Sequence, residues 1–137
     1  MNTDNHQRQM WLLCLVGINI VASILHYSDN IIFFDRYPEV SWFTLQIPDS
    51  LWLIMTPLSL AGYYQYIKRS FTSAYFCLYI YIIISQFTLG HYILTPMWYL
   101  SVKMNTLILF ESIASIPLLA FVAWSQLLLK EGKEATQ

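Results

Sequence analysis

The sequence predicts an all-α integral membrane protein, whose four transmembrane helices pack as an up-down-up-down bundle. Of its 137 residues 57% are hydrophobic and only 11% are charged, whereas about 25% are charged in a typical soluble domain. Long apolar runs alternate with short polar or proline-containing segments. Short connections place sequential helices side by side and antiparallel. We therefore expect a single membrane domain, residues 1–137.

The first predicted span covers residues 10–34 and follows a polar segment, MNTDNHQRQ, which we expect to be disordered or interfacial. A helix needs about 20 residues to cross the hydrocarbon core, and this run of about 25 residues is sufficient. It is longer than the roughly 7–15 residue core of a signal peptide, and no A-x-A-like site follows, so we expect it to be retained. Residues 35–39 then indicate an exit and a turn.

The second predicted span covers residues 50–67. Asp49 or Ser50 is a suitable N-cap, because both side chains accept hydrogen bonds from the first backbone N–H groups of a helix. The sequence Lys68-Arg69-Ser70 predicts a tight basic turn after the span.

Spans three and four are predicted at residues 71–94 and 103–129. Thr95 and Pro96 are expected to end the helix between these two spans, since proline disfavours a helical conformation of the residue before it. Pro117 lies inside span four, where membrane helices tolerate it, and is expected to kink it. The glycines of spans two and three, Gly62 and Gly90, predict close helix approach.

The distribution of Lys and Arg predicts the orientation. Only Arg36 and Lys103 fall on one side of the bundle; the other side carries Arg8, Lys68, Arg69, Lys130 and Lys133. Cytoplasmic segments are enriched in Lys and Arg, so both termini are expected in the cytoplasm. A net charge of −1 excludes a nucleic-acid partner held by bulk electrostatics.

Polar residues near the end of span one give the main functional signal. His26, Asp29 and Asn30 stand at i, i+3 and i+4 and so share one helix face. An ionisable side chain at membrane depth costs roughly 2.5–3.5 kcal/mol on insertion scales and usually faces a bundle interior. These three residues are therefore candidate site residues.

The other spans place polar or aromatic side chains at a similar depth, given a rise of about 1.5 Å per residue. They are Asp49, Trp52 and Thr56 on span two, Gln86 and His91 on span three, and Asn105 and Glu111 on span four. Lys103, by extending along the helix, is a possible partner for Glu111. The sequence thus predicts a polar and aromatic cavity that opens toward the non-cytoplasmic side.

The preferred hypothesis is that this cavity binds a membrane lipid or another small lipophilic molecule, with proton-transfer chemistry as an extension. Buried carboxyl and imidazole groups can exchange protons near neutrality. His26 would be the acid or base, Asp29 and Glu111 its charge partners, and the remaining candidates would bind or orient the ligand.

Three alternatives stay open. The polar residues can simply specify helix packing, although interhelical polar pairs average only about 0.6 kcal/mol. The chain can be a small transporter protomer, possible as a homodimer. His26 and His91 can ligate a haem, but H-x-x-x-H, E-x-x-H and C-x-x-C motifs are absent, and we predict no cofactor and no metal.

The chain also resembles the EXPERA superfamily, the four-helix membrane domain of the emopamil-binding protein (a sterol isomerase) and the sigma-2 receptor. The resemblance rests on His26 with Asp29 in helix one, Asp49 ahead of Pro57-Leu58 in helix two, Gln86 with Gly90 in helix three, and Met104-Asn105 before Pro117 in helix four. In that family such residues line a pocket for sterols and cationic amphiphiles, and the isomerase moves a proton with a His and acids. The resemblance implies a site of His26, Asp29, Asp49 and Asn105.

Overall fold

The computed structural model describes residues 3–33 and 46–131, with side chains at 4–33 and 51–131. This part of the chain consists of helices joined by short non-helical segments and contains no strand. The long helices are α1 (Thr3–Ile32), α2 (Gln46–Ile67), α3 (Phe71–Gln86) and α5 (Val102–Leu127). A 3₁₀ turn (Phe87–Gly90), the one-turn helix α4 (His91–Leu94) and a second 3₁₀ turn (Met97–Tyr99) connect α3 to α5. The predicted all-α class is confirmed.

Two helices begin earlier than predicted. Helix α1 begins at Thr3, so residues 3–9 are helical, and the expectation of disorder is wrong there. Helix α2 begins at Gln46, and neither Asp49 nor Ser50 is its N-cap. Pro48 does not prevent this start, because the first backbone N–H groups of a helix have no partner within the helix.

The predicted turn after α2 is confirmed and has a specific geometry. Arg69 adopts a left-handed conformation, with φ of 59°. The N–H of Arg69 donates to the carbonyl of Tyr66 at 3.0 Å, and that of Ser70 donates to the carbonyl of Gln65 at 2.9 Å. These two bonds form a Schellman motif, which satisfies carbonyls at the end of α2 and reverses the chain into α3.

The predicted break before α5 is also confirmed. Thr95 is extended, with φ of −137° and ψ of 120°, as expected for a residue that precedes proline. Ser101 then caps α5, its Oγ accepting from the N–H of Met104 at 3.1 Å. Pro117 lies inside α5, as predicted.

Helix α2 packs mainly on α3, and α1 packs mainly on α5, with further contacts between α1 and α2 and between α3 and α5. A Cβ added to Gly62 would lie 2.7 Å from Cγ of Leu78, so the predicted close approach is confirmed there. At Gly90 nothing lies within 4 Å of such an atom, and the same prediction is wrong. The largest fully buried apolar side chains are Leu12, Met55, Tyr66, Leu78, Tyr81, Met104, Ile108 and Leu118.

Three helical segments are long and apolar enough to cross a membrane by length and composition: Asp4–Ile32, Phe71–Leu94 and Val102–Leu127. Many large apolar side chains on these segments face outward, among them Val21, Ile93 and Ile113. Composition and exposure together fit a membrane environment better than an aqueous one.

Candidate functional site

The centre of the candidate site is a buried pair formed by His26 of α1 and Glu111 of α5. His26 Nδ1 lies 2.5 Å from Glu111 Oε2, and the two residues are 1% and 0% exposed. The sequence predicted that these residues lie at a similar depth, and the structure places them in direct contact. A buried carboxylate beside an imidazole fixes the position of the ring proton.

The register of α1 against α5 brings this pair together. The side-chain amide of Asn19 donates to the carbonyl of Leu15 at 2.8 Å and to that of Ala114 at 2.9 Å. Asn19 and His26 are two turns apart on one face of α1, and Ala114 and Glu111 are about one turn apart on α5. A bond to the backbone of α5 at Asn19 therefore sets the height of His26 relative to Glu111.

Asn30 completes the environment of the imidazole. Its Nδ2 donates to His26 Nε2 at 3.1 Å, so Nδ1 carries the proton that is donated to Glu111. Among the buried oxygens that have no hydrogen-bond partner within the described part of the chain, two belong to this site, Asn30 Oδ1 and Glu111 Oε1. Buried polar atoms are nearly always hydrogen-bonded, and an exception calls for a physical explanation.

A cavity of about 340 Å³ lies beside the pair. Its polar wall consists of His26, Asn30 and His91; the remainder of the lining is Tyr27, Leu51, Phe87, Thr88, Gly90, Ile93 and Leu94. The ring centroids of His26 and His91 are 5.4 Å apart, in an edge-to-face arrangement. Tyr27 packs on the other side, with its ring centroid 5.3 Å from that of His26.

Asp29, one of the predicted catalytic residues, is engaged elsewhere. Its Oδ1 lies 2.6 Å from Lys103 Nζ, and that ammonium also lies 3.6 Å from the ring centroid of Phe33. The alternative that Lys103 serves Glu111 is therefore wrong. Asp29 is not among the residues that line the cavity.

Gln86 and Asn105, which were predicted to orient a ligand, form hydrogen bonds within the protein instead. Gln86 Nε2 donates to the carbonyl of Ser112 at 3.0 Å and to Ser115 Oγ, and Ser112 Oγ donates back to Gln86 Oε1 at 2.9 Å. Asn105 Nδ2 donates to the carbonyl of Met97 at 3.0 Å. Both amides connect segments of the fold, and neither residue lines the cavity.

Two of the predicted residues of α2, Trp52 and Thr56, are not part of the lining either. Trp52 is half-buried and packs against the hydrophobic core, and Thr56 is also half-buried. The side chain of Asp49 lies outside the described side chains. Helix α2 contributes Leu51 to the cavity instead.

The apolar residues of the cavity wall were not predicted. Most of them come from the stretch Phe87–Leu94, where a 3₁₀ turn separates α3 from α4, and Tyr27 and Leu51 come from α1 and α2. Leu, Ile and Phe occur throughout this sequence, so composition could not have distinguished those that line a cavity. The change from α3 to the 3₁₀ turn could not be predicted from the sequence, since neither Gly nor Pro stands at the start of that turn.

A further buried carboxylate, Glu131, was missed as well. Its Oε2 accepts hydrogen bonds from Tyr66 Oη at 2.8 Å and from Ser125 Oγ, and its Oε1 lies 3.1 Å from Arg8 Nε. It directly follows Lys130, in a charged segment in which the sequence analysis found no candidate residue.

The described residues contain no group of three or more His, Cys, Asp or Glu side chains that could hold a metal ion. Comparison with models of known families, with curated proteins and with solved structures finds no match for the chain. The functional argument therefore starts from the geometry of the site.

Proposed function

We propose that the chain is a multi-pass membrane protein that binds a small lipophilic molecule in the cavity beside His26. In this proposal α1, α2, α3 with its extension to Leu94, and α5 are four spans of an up-down-up-down bundle, with both termini in the cytoplasm. The outward-facing apolar side chains and the Lys/Arg distribution support the placement. The cavity then lies in the non-cytoplasmic half, near the end of α1.

One observation carries the proposal: His26, which is paired with the buried Glu111, forms part of the wall of a largely apolar cavity. Ligand sites are typically apolar concavities with a few convergent polar groups that orient the ligand. The unpartnered Asn30 Oδ1 is an acceptor at this wall. The complementary ligand is therefore a lipophilic molecule that ends in a hydrogen-bond donor, such as a hydroxyl or an ammonium group.

Proton transfer is the chemical extension of this proposal. Glu111 accepts a hydrogen bond from Nδ1–H, so Nε2 carries the lone pair and can act as a general base. The side-chain amide of Asn30 donates to Nε2 in the structure; after rotation of this amide, its oxygen would accept a hydrogen bond from the Nε2–H of a charged imidazole. Asn30 can thereby stabilise either protonation state, as a general acid–base residue requires.

The resemblance to the EXPERA superfamily favours the same kind of ligand, a sterol or a cationic amphiphile. His26 lies in the cavity wall, whereas Asp29 and Asn105, which the resemblance also implied, are bound to Lys103 and to the Met97 carbonyl. Fold analogy does not determine a reaction. Binding is therefore the core of the proposal, and isomerase-like chemistry depends on it.

The test is ligand-induced thermal stabilisation of the detergent-purified protein, with a lipophilic tertiary amine and cholesterol as probes. We expect at least one probe to raise the Tm of the wild type, and Glu111→Gln to abolish this rise. Glu131→Gln is the matched control, because it alters another buried carboxylate, which lies just beyond the C-terminal end of α5 and does not line the cavity. If neither probe raises the wild-type Tm, or if both variants respond alike, the proposed site is wrong.

The competing function is purely structural and is favoured by a specific observation. The side-chain amides of Gln86 and Asn19 donate hydrogen bonds to backbone carbonyls of α5, as expected of residues that fix helix register. Under this alternative, His26→Ala and Glu111→Gln both lower the Tm strongly and no probe restores it. The ligand test above separates the two functions.

Topology is tested separately by cysteine accessibility. Cys14 and Cys77 are replaced by Ala, and Arg69→Cys and Tyr99→Cys are introduced one at a time at exposed turns. We expect a membrane-impermeant maleimide to label position 99 from the non-cytoplasmic side of sealed vesicles and position 69 from the cytoplasmic side. Labelling of both positions from one side would contradict four spans.

A further inference from the structure

A second cavity, of about 490 Å³, lies where the start of α1 meets the end of α5. Arg8 precedes His26 by 18 residues, which places this cavity about 27 Å along the helix from the proposed ligand site. Its lining is Asp4, Gln7, Arg8 and Trp11 of α1, with Phe121 and Trp124 of α5. The function proposed above makes no use of it.

Aromatic rings form one side of this cavity. Trp11 and Trp124 remain 59% and 40% exposed, so their rings are accessible to a ligand. Phe121 packs against Trp124, with ring centroids 5.9 Å apart, and against Tyr66 at 6.1 Å. The aromatic wall is thereby supported by the core of the protein.

Glu131, which does not itself line this cavity, forms an ion pair with the lining residue Arg8. The carboxylate contacts Arg8 and accepts from Tyr66 and Ser125, and Tyr75 lies 2.7 Å from the same serine hydroxyl. These contacts join all four long helices. A guanidinium has five N–H donors, so the contact with Glu131 orients Arg8 and leaves donors for an anionic group of a ligand.

The charges of the lining point to a ligand with both signs. Glu131 compensates Arg8, and the exposed carboxylate of Asp4, one helical turn before Arg8, gives the cavity a net negative character. Aromatic faces together with a carboxylate bind ammonium groups, including quaternary ones, by cation–π and Coulomb attraction. A guanidinium binds phosphate through several parallel hydrogen bonds.

We infer that this cavity binds the headgroup of a zwitterionic phospholipid, with the ammonium against the tryptophan rings and Asp4, and the phosphate at Arg8. The inference rests on the membrane placement proposed above but not on any ligand at His26. In that placement the cavity lies at the cytoplasmic membrane surface, where Trp side chains meet lipid headgroups. Tryptophans that only anchor a helix in the interface would not require a cavity, nor the oppositely charged Asp4 and Arg8 one turn apart beside it.

The test is lipid retention measured by native mass spectrometry. The full-length protein in a maltoside detergent is incubated with an equimolar mixture of dioleoyl phosphatidylcholine and dioleoyl phosphatidylglycerol. We expect the wild type to retain phosphatidylcholine in preference, by roughly two- to tenfold, the range that cation–π attraction provides. Asp4→Asn and Trp124→Leu should both remove this preference.

Trp98→Leu is the matched control, because Trp98 is an exposed tryptophan (80%) outside the cavity; it should keep the wild-type preference. Equal retention of the two lipids by the wild type would overturn the inference, as would a preference for phosphatidylglycerol. A preference that persists in Asp4→Asn would overturn it too, and that surface variant is informative even if Trp124→Leu folds poorly. Failure of the ligand test at His26 would leave this result unaffected.

Discussion

The close contact between α2 and α3 makes a quantitative prediction at Gly62. In Gly62→Ala the new Cβ would lie 2.7 and 2.8 Å from Cγ and Cδ2 of Leu78, well inside van der Waals contact. Leu78 is 0% exposed, so it has little room to move. Overpacking of this kind costs about 1–3 kcal/mol, partly offset by the higher helix propensity of Ala, worth about 1 kcal/mol.

Gly17→Ala is the matched control, because Gly17 also lies inside a helix and an added Cβ there meets nothing within 4 Å. The propensity gain is common to both variants, so their difference isolates the packing cost. We expect Gly62→Ala to unfold with a free energy lower by about 1–3 kcal/mol than Gly17→Ala. For a chain of this length, each 1 kcal/mol corresponds to about 3–5 °C in Tm.

A double-mutant cycle with Leu78→Ala identifies the contact responsible. Leu78→Ala opens space for the new methyl group, so its cost should be smaller in the Gly62→Ala background, with a coupling of about 0.5–3 kcal/mol. The measurement is thermal or denaturant-induced unfolding of all four proteins in one detergent. Additive effects, or a Gly62→Ala variant as stable as Gly17→Ala, would refute the close approach of α2 to α3.

Three further predictions concern the sites. Gly90→Ala should leave the Tm nearly unchanged, since an added Cβ meets nothing within 4 Å, but should weaken a ligand that fills the cavity, as shown by a smaller ligand-induced shift; an unchanged shift would place the ligand elsewhere. Asp29→Asn should cost no more than about 1 kcal/mol, because its partner ammonium is half-exposed, and should preserve the ligand-induced shift; loss of that shift would return Asp29 to the site. Gln86→Leu should lower the unfolding free energy by about 1 kcal/mol, and by less when Ser115 is already Ala, because the lost hydrogen bond is shared; equal costs in both backgrounds would contradict the shared bond.

The sequence predicted best the features that local chemistry determines. The turn at Lys68–Ser70 and the break at Thr95 follow from backbone preferences of a few adjacent residues, and both occur where expected. The predicted start of α2 was wrong. The N-cap preference made Asp49 or Ser50 the expected first residue, but a proline is tolerated in the first turn of a helix, so the helix can begin before Pro48.

The depth of the polar side chains along the helices was predictable from the sequence, but their interaction partners were not. The rise per residue places His26, Asp29, His91 and Glu111 at similar heights whatever their rotation. Which side chains meet depends on how each helix turns toward its neighbours, and long-range contacts such as Asn19 to Ala114 fix that rotation. As a result, Asp29 forms an ion pair with Lys103, and Glu111 pairs with His26.

The same limit explains why predicted ligand residues became structural ones. A polar residue in an apolar helix indicates a bonding partner, but not whether that partner belongs to the protein or to a ligand. Gln86 and Asn105 find their partners in Ser112 and in the Met97 carbonyl. Only the folded chain separates these residues from Asn30, because Asn30 forms part of the cavity wall and Gln86 and Asn105 do not.

Two of the buried carboxylates, Glu111 and Glu131, show how this distinction supports the assignment of the site. Glu131 accepts hydrogen bonds from Tyr66 and Ser125 through Oε2 and forms an ion pair with Arg8 through Oε1, so both of its oxygens contact the fold itself. Glu111 is just as buried but bonds through Oε2 alone, and Oε1 has no partner in the part of the chain described. An incompletely satisfied carboxylate in an apolar interior costs free energy, so its presence is best explained by a role beyond packing. Because the imidazole bonded to Glu111 forms part of a cavity wall, we place the function of the protein at His26 and assign Glu131 to holding the helices together.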